Sequence, residues 1–150
     1  MFTKLRIFAH ILIMFTNSVA FADLAIIAHP GYDTGTLDTQ NVRKLFLGER
    51  NSFPSGQHAT PLNHKVGSPD RKEFFSLVLS MPEASHKRDW KRKVARGAIS
   101  PPSQLGSNDA VLNYVASDAG TIGSVEASNV DGTGKVWITT SHLTGAEVHK

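Results

Sequence analysis

Apolar positions along the chain fall into short blocks whose spacing switches between strand-like and helix-like. Asp23-Leu24-Ala25-Ile26-Ile27-Ala28-His29-Pro30 is a continuous apolar run closed by proline, the pattern of a strand covered on both faces. After a polar, glycine-containing loop, Asp38 caps a helix through about residue 47. Val42, Leu45 and Phe46 form its apolar face, Leu37 and Val42 can close a hydrophobic staple, and Gly48 stops it. Phe53 tucks under a Pro54-Ser55-Gly56 turn. Residues 57–62 read as a strand, which Pro61 pushes toward a sheet edge or strand end.

The next block is the most informative. Gly67-Ser68-Pro69 leads into Phe74, Leu77, Val78 and Met81, spaced i, i+3, i+4, i+7, so the periodicity predicts a helix from 69 to about 80 with one apolar face. Ser68 is suited to the N-cap and Pro69 to the first helical position. A helix over 83–96 follows, with Trp90 and Val94 expected to face the core. Residues 97–107 read as a loop. Ser107 or Asn108 caps a further helix carrying Val111, Leu112, Tyr114 and Val115. Residues 121–125 read as a strand, 131–134 as a turn, 135–140 as a last strand with Val136 and Ile138 on one side and Trp137 on the other, and 141–150 as a tail. Strands and helices alternating in this way describe a single α/β layer domain.

The first 22 residues are expected to lie outside that domain. Lys4 and Arg6 precede a short apolar run, and Ala20-Phe21-Ala22 is an A-x-A cleavage signal, which together read as a secretory signal peptide. No later segment has the ~20 apolar residues a membrane helix needs. Loss of Lys4 and Arg6 brings the formal charge of +3 closer to neutrality, so the basic balance of the whole chain does not argue for nucleic acid. The chain has no cysteine, which excludes disulfides and thiol chemistry.

Candidate chemistry is sparse. His29, His58, His64, His86, His142 and His149 are scattered, with no metal-ligand spacing, no nucleophile elbow and no phosphate loop of the Walker type. The sequence is therefore read as a non-enzyme with no cofactor and no metal. Two features stand out. One is the helix start at Ser68, where free backbone N–H groups, a hydroxyl and the neighbouring Arg71 and Lys72 suit an anion. The other is the basic helix bearing Lys87, Arg88, Lys91, Arg92, Lys93 and Arg96, suited to an acidic partner.

Three segments in order carry a family resemblance. Residues 37–48, ending Lys44-Leu45-Phe46-Leu47-Gly48, the stretch Gly67-Ser68-Pro69-Asp70-Arg71-Lys72-Glu73-Phe74, and Ala119-Gly120-Thr121-Ile122-Gly123-Ser124-Val125-Glu126 resemble segments of phosphate ABC transporter substrate-binding proteins. Trp90, Gly97 and Pro101-Pro102 resemble the spacing of their small, single-lobe members. The chain departs from the family in reading Ser68-Pro69-Asp70 where Ser-Gly-Thr is usual, and Ser124 where tyrosine is usual.

The resemblance implies a single periplasmic-binding-protein-like lobe over residues 23–140, a central mixed sheet flanked by helices. It implies a periplasmic solute-binding module that takes an inorganic oxyanion such as phosphate at the helix start. Gly67, Ser68, Asp70 and Arg71 would form the site, with Lys65 and His64 as secondary contributors. An inner-membrane transporter or sensor is the implied partner, and a homodimer would close the open side of a lone lobe. The alternative is an envelope interaction or sensory accessory protein that keeps the fold and has lost the ligand.

Overall fold

The structure, a computed structural model, describes residues 23–97 and 100–130 and the strand at 135–139. The expected leader (1–22), the turn at 131–134, the tail (141–150) and the facing of Val136, Trp137 and Ile138 lie outside the described residues.

Five strands form one mixed sheet: β1 (Leu24–Ala28), β2 (Thr60–His64), β3 (Ser103–Leu105), β4 (Thr121–Glu126) and β5 (Lys135–Thr139), in the order β3-β2-β4-β1-β5. β2 runs parallel to β3 and β4, whereas β1 is antiparallel to β4 and β5. Every residue of β1 is buried, because both faces of the sheet are covered. Leu24 and Ile26 enter one apolar cluster with α1 (Thr39–Phe46) and α2 (Pro69–Phe74). Ala25 and Ile27 enter a second cluster on the opposite face with α4 (Asn108–Ser117). This is the expected mixed sheet flanked by helices.

The helix starts follow their capping residues. Asp38 and Ser107 accept hydrogen bonds from the backbone N–H groups of Asn41 and Ala110. Gly48 ends α1 at φ 67°, and the Trp90 ring lies so close that a Cβ there would sit 2.5 Å from it. Trp90 comes from α3 (Glu83–Ala95), whose buried His86 and Trp90 both reach the Phe46 carbonyl at the end of α1, with the His86 ring edge-on to Phe75. Lys93 donates to the Leu47 carbonyl at the C-terminus of α1, where the helix dipole favours a cation. Helix α2 continues as a π-helical turn over Phe75–Leu79 and stops at Ser80, which has left-handed backbone angles.

Four expectations need correction. Val94 is 49% exposed and Tyr114 41% exposed; the core extends under α3 only as far as Trp90, and under α4 the stripe of Val111, Leu112 and Val115 already fills the contact. Residues 97–107 contain strand β3, whose Ser-Gln-Leu sequence carries no apolar alternation and which forms by pairing with β2. The second strand spans Thr60–His64, later than expected, and lies inside the sheet. Pro61 is tolerated there because Thr60 N–H donates to the carbonyl of Gly120, just before β4, while pairing on the other side begins only at Leu62.

Candidate anion site at the turn from β2 to α2

The turn begins where β2 ends. Lys65 N–H donates to the Leu105 carbonyl (2.8 Å), carrying the parallel pairing one residue past β2, and Ser68 N–H closes the turn on the Lys65 carbonyl (3.1 Å). Gly67 has φ 84° with open space around it, so conformation rather than crowding requires glycine. Ser68 Oγ accepts from Arg71 N–H (3.3 Å), which leaves its own proton to donate. Pro69 has no N–H to satisfy, and the Asp70 N–H has no protein partner among the described residues. Two donors, the Ser68 hydroxyl and the Asp70 N–H, thus remain at the start of α2, beside the exposed Lys65.

His64 and Arg71 stand behind the turn. His64 is buried, its Nε2 2.7 Å from the Ser124 carbonyl and its Nδ1 3.8 Å from Asp70 Oδ2. Arg71, expected to present its guanidinium to an anion, has other partners. Its Nε donates to Glu83 Oε2 (2.8 Å), its Nη1 to the His64 carbonyl (2.9 Å), and its guanidinium lies 4.7 Å from the Phe75 ring centre. The six expected site residues are therefore brought together, but in two tiers: Lys65, Gly67, Ser68 and Asp70 on the turn, His64 and Arg71 supporting it.

Acidic groups crowd the same region. Burial holds the Glu73 carboxyl above its ordinary pKa, with the charges of Asp70, Glu126 and Asp23 adding to the effect, and Glu73 Oε1 is buried without a hydrogen-bond partner among the described residues. An anion at the turn meets these carboxylates as well as the donors.

Sequence reasoning missed Glu83, because its contact with Arg71 spans two helices. It also missed Asn63, which sits buried next to the turn on β2; a single polar residue in a short strand carries no periodic signal.

No family model matches the chain, and no curated protein sequence matches it. Solved structures do. The chain superimposes on an ABC-type phosphate transport receptor from Vibrio cholerae with a TM-score of 0.59 at 16% identity, covering 77% of this chain and 46% of the receptor. It has a phosphate-binding-protein-like fold. A phosphate ABC transporter substrate-binding protein from Clostridium perfringens, described as putative and solved with bound phosphate, gives a TM-score of 0.60 at 15% identity over 77% of this chain and 44% of that one. PstS from Borrelia burgdorferi gives 0.53 at 15% identity over 70% and 41%. The chain spans less than half the length of each of these structures. No helix among the described residues is long and apolar enough to cross a membrane.

Proposed function

We propose that the protein is an exported, periplasmic solute-binding module that holds an inorganic oxyanion, phosphate or a relative of it, at the turn from β2 to α2. The observation that carries this reading is the place of the turn. It lies just past the carboxyl end of parallel strand β2, where open α/β sheets bind their ligands, in a fold shared with phosphate-transport proteins. Ser68 O–H, Asp70 N–H and the Lys65 ammonium are the donors to the anion. Gly67 shapes the turn, and His64 and Arg71 position it. The role is one of binding rather than catalysis and needs no cofactor. A second copy of the chain, or an inner-membrane transporter or sensor, covers the open side of the site.

The test is thermal stability against phosphate, sulfate, molybdate and chloride at matched ionic strength. One of the oxyanions at ~100 times its dissociation constant adds about 2.7 kcal/mol, and Lys65→Met reduces the gain while leaving the fold intact. Equal stabilisation by all four salts would sink specific oxyanion binding.

The carboxylates of Asp70 and Glu73 favour a second reading, in which the turn no longer holds an anion and the protein serves as an interaction or sensory accessory. Reversal of Lys91, Arg92 and Lys93 to Glu then abolishes capture of the partner, and the four salts stabilise alike.

A further inference from the structure

A groove of about 700 Å³ opens between α3 and the edge of the sheet at β2 and β3. Its walls are apolar: Val66 on one side, Trp90 and Val94 on the other, Pro101 and Pro102 at one end. Val66 and Val94 are 61% and 49% exposed, two of the three large apolar side chains left in solvent among the described residues. Both border this groove. A volume of this order is that of a small-molecule site.

Polar groups line the groove as well. Asn63 is only 3% exposed, yet its side-chain amide has no hydrogen-bond partner among the described residues, and it lines the groove. The amide is not sealed off from the groove, so it is free to bond to a molecule seated there. Arg71 lines the groove too; with Nε and Nη1 committed to Glu83 and His64, its Nη2 amino group has no hydrogen-bond partner among the described residues. Lys87 and Lys91 of α3 are exposed and also line the groove. Since Glu83 balances Arg71, the two lysines leave the groove positive.

We propose that this groove is a second binding site, for a small organic carboxylate with an apolar body. The apolar part lies between Val66, Val94 and Trp90, and the carboxylate accepts from the Asn63 amide and Arg71 Nη2 under the field of Lys87 and Lys91. The groove adjoins the oxyanion turn and shares Arg71 with it, but its donors differ from those of the turn, and neither proposal depends on the other.

Octanoate is a suitable probe, with n-octanol and inorganic phosphate as controls, measured by calorimetric titration of the mature protein. Octanoate binds saturably. Octanol binds at least about tenfold more weakly, for want of the charge-assisted hydrogen bonds. Phosphate does not displace octanoate. Asn63→Leu removes a donor to the carboxylate, so it weakens octanoate about tenfold or more. Val94→Glu, at an exposed position that leaves folding untouched, abolishes octanoate binding by placing a like charge in the apolar wall. Failure of octanoate to saturate, equal binding of octanol, displacement by phosphate, or unchanged binding in Val94→Glu each overturns the proposal.

Discussion

Arg71 on α2 and Glu83 at the start of α3 meet at 2.8 Å, with the arginine 6% exposed and its carboxylate partner half-buried. The pair ties two helices whose sequences carry no sign of the contact. Its two members are not equivalent to mutation. Glu83→Ala strands a buried guanidinium and costs about 3 kcal/mol, whereas replacing both by apolar residues of similar size (Arg71→Met with Glu83→Leu) costs far less. Urea unfolding of Arg71→Met, of Glu83→Leu and of the double variant measures this as a coupling. A Glu83→Ala loss no larger than that of the double variant removes the structural role assigned to the bridge.

His86 makes the fold sensitive to acid. Burial, the largest cause, holds its pKa below the ordinary 6.5, with the nearby Arg71 charge acting the same way against the hydrogen bond to the Phe46 carbonyl. His86 Nε2 lies 3.2 Å from the Phe46 carbonyl and 3.0 Å from Trp90 Nε1; in the neutral ring it either donates to the carbonyl or accepts from the indole, and protonation leaves only the donor role. The unfolded chain therefore binds the proton more readily. Stability is fully present above the unfolded value near 6.5 and is lost as pH falls toward the lower folded value. The melting temperature should drop between pH 7 and pH 5, and the drop should be shallower in His86→Gln. Parallel profiles for the two proteins place the acid sensitivity elsewhere.

Glu73 works in the opposite direction. Its folded pKa lies above 4.5, through burial first and then the charges of Asp70, Glu126 and Asp23. The fold favours the protonated form, so this contribution is present below the unfolded value and is lost as pH rises through the folded one. At pH 7 the carboxylate is a destabilising group. Glu73→Gln should raise the melting temperature at pH 7 and leave it nearly unchanged at pH 3. It should also strengthen any oxyanion binding at the turn by removing a like charge. A stabilisation equal at both pH values would point to packing rather than charge.

The order of strands and helices was legible because it rests on local signals: the apolar run of β1, the caps at Asp38, Ser68 and Ser107, and the 3.6-residue period of α2. The turn at Gly67-Ser68 was legible for the same reason, since capping and positive φ are properties of a few adjacent residues. β3 was not, because two polar residues and a leucine become a strand only when β2 lies beside them. The partners of Arg71 were hidden likewise. A cation at a helix start reads as an anion ligand until the neighbouring helix supplies Glu83. Val94 continues the apolar spacing of His86 and Trp90, but periodicity says nothing about where the core ends.

Gly123 on β4 sets the distance at which α4 packs on the sheet. A Cβ at this position would lie 2.7 Å from Val111 Cγ1, and Val111 is fully buried. Gly123 has an ordinary strand conformation rather than a positive φ, so the glycine answers to space and not to backbone angle. Gly123→Ala must then either push α4 away from β4 or force Val111 off its rotamer, at about 1–3 kcal/mol. Trimming the opposing side chain should return part of that loss: Gly123→Ala with Val111→Ala is expected to be more stable than the sum of the two single losses allows. Urea unfolding of the four proteins gives the coupling energy. Strict additivity would show that α4 is not held by this contact, because residues in contact couple by about 0.5–3 kcal/mol.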